Sequence, residues 1–284
     1  MNLYIHFFRK NSLGKIDYTK ILEYFETLPN FKIFYTDDHV EMTYNDHEFE
    51  FEYRFVITKQ SKVQRIYELN PMYSNINFMV EIPILIPSFL AKEILALVQK
   101  ICKLFDLEIY QTEFKDVEPF NLVDVLVLFE KNRRDYFENH EITDAILYDN
   151  EKLNVLCKYQ RSIASLQEYY NHHVDVGFCV PVIDDAKGIS GISYTWNFGR
   201  PAIFPPYIDF VFIKNEDDTI LVKREDLYRI LAKYFIEIKT VLPDLYIIKE
   251  KQAKKARKEF KLLKKSHMSD LKFRSLRLCD VIEK

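Results

Sequence analysis

The sequence predicts an α+β protein built as two packed lobes of mainly antiparallel sheet covered by helices. Three observations carry this. Short alternating strands separated by acidic or amide turns fill the first sixty residues. Strand patterns then alternate with long helical periodicities in both halves. Finally, 284 residues at 48% hydrophobic can supply more than one core, since single cores stop growing near roughly 250 residues.

Leu3–Phe8 reads as a strand, and Asp17 is placed to cap a helix whose stripe is Ile21, Leu22 and Phe25. Strands follow at Phe31–Tyr35, Val40–Tyr44 and Phe49–Ile57, joined through Asp37-Asp38 and Asn45-Asp46 as an antiparallel meander. Within the last, Glu48, Glu50 and Glu52 alternate with Phe49, Phe51 and Tyr53, giving one wet face and one buried face. Ile76–Ile86 is an apolar strand interrupted by Glu81 and Pro83. Ser88 is expected to cap a helix to Phe105, and Leu107–Tyr110 returns as a strand. Helices opening at Asn121 and spanning Leu153–Tyr170 come next. Strands at Ile192–Trp196, Tyr207–Ile213 and Thr219–Val222, a helix Glu225–Thr240 and a strand Leu245–Ile248 lead to a basic helix.

The natural division is 1–118 and 119–284. Ile84-Leu85-Ile86 followed by Ile94-Leu95-Ala96 matches Ile220-Leu221-Val222 followed by Ile230-Leu231-Ala232 at one offset. This pattern admits an internal ββαβ duplication, although any strand–helix unit needs apolar residues at such spacings.

Glycine is scarce: five in the chain, where average usage of about 7% would give about 20. Neither G-x-G-x-x-G nor G-x-x-x-x-G-K-[ST] occurs, which removes the usual nucleotide-cradling loops. Cys102, Cys157, Cys179 and Cys279 are widely spaced with no C-x-x-C, so they read as buried free thiols of a reducing compartment. The longest lipid-like run, Ile82–Ala91, is too short to span a bilayer, and no secretory signal is recognised. The chain is therefore expected to be cytoplasmic, with no cofactor.

Net charge is −3, unevenly spread. Lys249–Arg277 holds twelve Lys/Arg against Glu250, Glu259 and Asp270, which leaves the rest of the chain at −12. Ala253, Ala256, Phe260 and Leu263 make a narrow apolar stripe on this basic segment, which suits a docked helix. Nucleic acid is an alternative partner for it.

Four glycines, four of the ten prolines and the only tryptophan lie between Gly177 and Pro206. Alternation puts Tyr194, Trp196 and Phe198 on one strand face beside Arg200, which is held between Gly199 and Pro201. Aromatics beside an arginine can anchor a protein partner, so these residues, with the Asp184-Asp185 turn, are the expected partner-binding set. His172-His173-x-Asp175 has ligand-type residues, but adjacent side chains cannot both point at one ion, so no metal site is expected. The reading that results is a non-enzymatic interaction protein, an inhibitor or neutralising, immunity-type partner of a nucleic-acid-acting enzyme or toxin. The alternatives are a metal-dependent enzyme acting on nucleotides or nucleic acid through Asp184, Asp185 and Arg200, and a nucleic-acid binder using the basic helix.

Overall fold

A computed structural model describes residues 1–140, 146–216, 218–240 and 242–283. The chain is α+β, with its strands distributed over several sheets packed against helices. It divides into two compact units, Met1–Thr143 and Asp144–Lys284.

The first unit runs β1 (Asn2–Lys10), α1 (Tyr18–Glu26), β2 (Phe31–Tyr35), β3 (His39–Asp46), β4 (Phe51–Thr58), β5 (Tyr73–Pro83), α2 (Ser88–Phe105), β6 (Leu107–Tyr110) and α3 (Leu122–Asn139). Its strands form one sheet in the order β2-β3-β4-β5-β1-β6, antiparallel at every pairing. Asp17 caps α1 by accepting the Thr19 N–H, and Asn121 does the same for α3 through Val123. Asp46 is buried and closes the β3–β4 turn, accepting the N–H groups of Glu48 and Phe49.

Helices α1 and α2 lie on one face of this sheet. Phe25 of α1 meets Phe31, Phe55 and Phe78, and its neighbour Tyr24 meets Phe105 of α2 edge-on. Leu3, Ile5 and Phe7 point into this core. Alternation puts Phe8 on the opposite face, where it packs with Val63 and Val117, and the pairing of β1 with β5 shifts register between Phe7 and Phe8.

Two expectations change here. Ser88 does not cap α2: Pro87 holds the cap position and the Ser88 hydroxyl donates to Glu130 of α3. Buried Arg133 of α3 donates to the Ile86 carbonyl and to Ser88. These bonds tie α3 to α2 and carry the first unit past residue 118.

The second unit contains β7 (Ile146–Tyr148), α4 (Asn150–Tyr169), β8 (Asp175–Val176), β9 (Val180–Asp184), β10 (Ile189–Asn197), β11 (Ala202–Phe204), β12 (Phe210–Asn215), β13 (Asp218–Lys223), α5 (Arg224–Leu231), β14 (Ile236–Glu237), β15 (Tyr246–Ile248), α6 (Glu250–Ala256), α7 (Phe260–Lys265), β16 (Arg274–Ser275) and β17 (Val281–Glu283). The orders are β13-β12-β10-β9-β16, β14-β15-β11-β8 and β17-β7. Most pairs are antiparallel, with β10–β12, β11–β8 and β17–β7 parallel.

The expected helix to Thr240 stops at Leu231, because Phe235 leaves it to pack on Phe204 and Tyr228 while Ile236 and Glu237 pair with β15. The two look-alike pieces take different forms. Ile84–Ile86 is a bend leading into α2, whereas Ile220–Val222 is the middle of β13. Ala253, Ala256 and Leu263 are fully buried and Phe260 meets Phe198 at 5.2 Å, so the basic segment is a docked helix, interrupted by a tight turn at Arg257–Glu259.

Candidate functional site

The aromatic ladder of β10 forms as its alternation implies, with Thr195 and Asn197 exposed between Tyr194, Trp196 and Phe198. It points inward. Trp196 is 0% and Tyr194 1% exposed, and Phe198 is buried as well. Trp196 packs edge-on against Phe198 and Phe204 and donates its indole N–H to the Arg200 carbonyl at 3.0 Å. The three aromatics are core, which takes them out of the expected partner surface. A buried tryptophan needs a partner for its N–H, and here the Gly199–Pro201 turn presents one.

The glycines have the same cause. Gly199 sits at φ +81°, a conformation that L side chains rarely adopt, with the Arg257 side chain across it. A Cβ on Gly191 would meet the Asp209 carboxylate and the Phe210 ring, each at 2.8 Å.

Arg200 is exposed, and it is not near the acidic pair. Asp184 pairs with Ile189 at the first residue of β10, while Arg200 lies beyond its last, roughly 27 Å away at strand rise. Asp184 is buried and accepts the backbone N–H groups of Lys272 at 2.8 Å and Lys187 at 3.1 Å. The Lys272 bond leads in holding its carboxyl below the usual range. Asp185 takes both Nε and Nη2 of Arg274, at 2.7 and 3.2 Å, which likewise lowers its pKa. Both carboxylates therefore staple the C-terminal strand β16 to β9. His172 and His173 close the end of α4, with backbone bonds to Gln167 and Tyr170. Among the described residues no group of three or more His, Cys, Asp or Glu is placed to hold a metal ion.

The sheet of the first unit supplies a different surface. Its face away from α1 and α2 carries Tyr4 and His6 of β1, Phe34 of β2, His39 and Glu41 of β3, Arg54 of β4 and Glu81 of β5. Arg54 bridges two carboxylates, donating from Nε to Glu81 and from Nη1 to Glu41, both at 2.8 Å. His39 Nε2 reaches the same Glu41 oxygen at 2.9 Å. The register dictates the arrangement, since Arg54 stands directly opposite both Glu81 and Thr43, the latter two residues from Glu41. Glu81 is only 7% exposed, and its charge is tolerable because the guanidinium answers it.

Three clefts open on this face, of about 460, 690 and 630 Å³, and all three are lined by Glu81. The first two share Glu41 and Arg54, and they extend to exposed Asp38 in one and exposed Glu52 in the other. The third reaches His6, Tyr110 and Asn132. His6 is buried, and that burial pushes its pKa down to about 4, so it is neutral near pH 7.

Exposed Lys32, Lys59 and Lys62 line these clefts on one side, and a stretch without Lys or Arg lines two of them on the other. Between Lys32 and Arg54 the chain has no Lys or Arg, and Asp37, Asp38, Glu48, Glu50 and Glu52 are all exposed there. Sequence reasoning passed over the network. Its available signal was Glu81 as the only charged residue in an otherwise apolar strand, which calls for a cationic partner on a neighbouring strand.

No family model, curated protein or solved structure matches the chain.

Proposed function

We propose that this chain is a non-enzymatic, immunity-type interaction protein that meets a basic partner, a nucleic-acid-acting enzyme or toxin, through the open sheet face of its first unit. The observation that carries the reading is the conjunction on that face. Three clefts meet at Glu81, and exposed Asp38 and Glu52, the ends of a stretch with no Lys or Arg, line two of them across from Lys32, Lys59 and Lys62. A protein whose own task is to grip phosphates presents a cationic surface, and an acidic, well-fixed face is its electrostatic complement. The bridged Arg54 fixes the carboxylates beforehand, so little ordering entropy remains to be lost on binding. Cytoplasmic location goes with this reading. No helix among the described residues is long and apolar enough to cross a membrane.

The test is affinity capture from a native lysate, followed by an assay of the captured protein on DNA and RNA. The expected result is a basic protein whose nucleolytic activity falls when this chain is added, and whose capture fails with Asp38→Lys/Glu52→Lys. Capture that is indifferent to the reversal, or a captured protein without nucleic-acid activity, would refute the proposal. A second reading has its own observation: α6 and α7 are docked by their apolar stripe, which leaves Lys251, Lys255, Lys261 and Lys265 exposed on the outer side. That face suits nucleic acid. Salt-dependent binding of an oligonucleotide, lost in Lys255→Glu/Lys261→Glu, would favour it.

A further inference from the structure

Strand β2 is the open edge of the six-stranded sheet, and its hydrogen-bonding pattern says which backbone groups are free. Asn30 accepts from Asn45 and Thr36 donates to His39, so the even-numbered residues of β2 bond inward to β3. In an antiparallel ladder the alternate residues then face away, which leaves the N–H and C=O groups of Phe31, Ile33 and Tyr35 directed outward. Such an edge is a template for another strand unless it is blunted. Here Phe34 and Tyr35 are 50% and 66% exposed beside it.

We infer that the occupant of this edge is the same strand of a second copy, paired antiparallel about Ile33. The five residues are self-complementary in that register and in no other centred on an outward-facing residue. Ile33 meets its own mate, and Phe31 meets Tyr35, so all three outward residues form hydrogen-bonded pairs. Lys32 falls opposite Phe34 of the second copy, not opposite its own lysine. Phe34 in turn stands beside Glu41 on β3. The Lys32 ammonium is thus placed to cross the Phe34 ring toward the Glu41 carboxylate of the other copy. Among the described residues Lys32 makes no ion pair, and this pairing supplies one at both ends of the two-fold axis. The lysine that ordinarily protects an edge strand here fits the symmetric mate. The result is a continuous twelve-stranded sheet.

Sedimentation of the purified chain from micromolar to near-millimolar concentration tests this, together with a register-specific crosslink. The expected outcome is a monomer–dimer equilibrium that Lys32→Glu weakens at least about tenfold, because a glutamate then faces Glu41. The melting temperature, extrapolated to low concentration, should be unchanged, since Lys32 is exposed. Lys32→Cys mixed with Phe34→Cys should form a disulfide between unlike copies, their Cα atoms being about 4.5 Å apart in this register. Lys32→Cys alone should not, as its two copies are about 7–8 Å apart diagonally. A chain that stays monomeric throughout, a dimer indifferent to Lys32→Glu, or the absence of the mixed disulfide would each overturn the inference.

Discussion

Single residues decide where this protein is rigid. Gly191 sits where β9, β10 and β12 come together, and the Asp209 carboxylate on its other side accepts the Ile192 N–H at 2.8 Å. Gly191→Ala should therefore displace a buried hydrogen bond as well as the Phe210 ring, costing about 1–3 kcal/mol in a denaturant titration. Arg200→Ala, by contrast, should leave the unfolding midpoint where it is, because the side chain is exposed and its structural contribution comes from its carbonyl. His6 makes a prediction in pH. Its folded pKa of about 4 lies below the unfolded value of about 6.5, so the unfolded chain binds more protons between these values. Stability should be fully present above pH about 6.5 and decline as pH falls toward about 4, and His6→Gln should flatten that part of the profile. A slope unchanged in His6→Gln would show that other groups produce it.

At the level of elements, the sequence carried much of the first sheet. Asp17 caps α1, Asn121 opens α3 and the meander forms, but Asn45-Asp46 lie within β3 rather than in the turn, β4 begins at Phe51 rather than Phe49, and β5 runs Tyr73–Pro83 rather than Ile76–Ile86. The site was less legible, for a physical reason. A run such as Tyr194-Thr195-Trp196-Asn197-Phe198 specifies that alternate side chains share a face, but not whether that face meets water or another layer. What covers it here is Phe204 of β11 and, from about sixty residues downstream, Phe260 of α7 against Phe198. The Arg54–Glu81–Glu41 chain was invisible for the same reason, since it spans three strands whose register only the folded sheet supplies. The docked basic segment predicts that Leu263→Ala, at a fully buried position, costs about 2–5 kcal/mol and frees the tail to limited proteolysis after Lys249. Resistance to proteolysis in that variant would mean the segment is held by its ion pairs, such as Lys264–Asp218, rather than by its stripe.

For the whole molecule, the charge asymmetry of the sequence resolves into a basic segment in the second unit and exposed carboxylates in the first. The basic segment is part of the second unit's fold, with Glu259 taking Lys233 and Tyr234. In the hairpin of the first unit Arg54 answers Glu41, while Asp38 and Glu52 are exposed at the ends of the clefts that meet at Glu81. That exposure is why the partner surface is proposed on the first unit. The most direct measurement is the affinity of the captured basic partner for wild type, for Asp38→Lys/Glu52→Lys, and for Lys255→Glu/Lys261→Glu, titrated calorimetrically at two salt concentrations. The account predicts that the acidic-face reversal weakens binding at least about tenfold, more so at low salt, while the basic-helix reversal leaves it unchanged. Unaltered affinity in the first variant with loss in the second would contradict it and move the working surface to the docked helix.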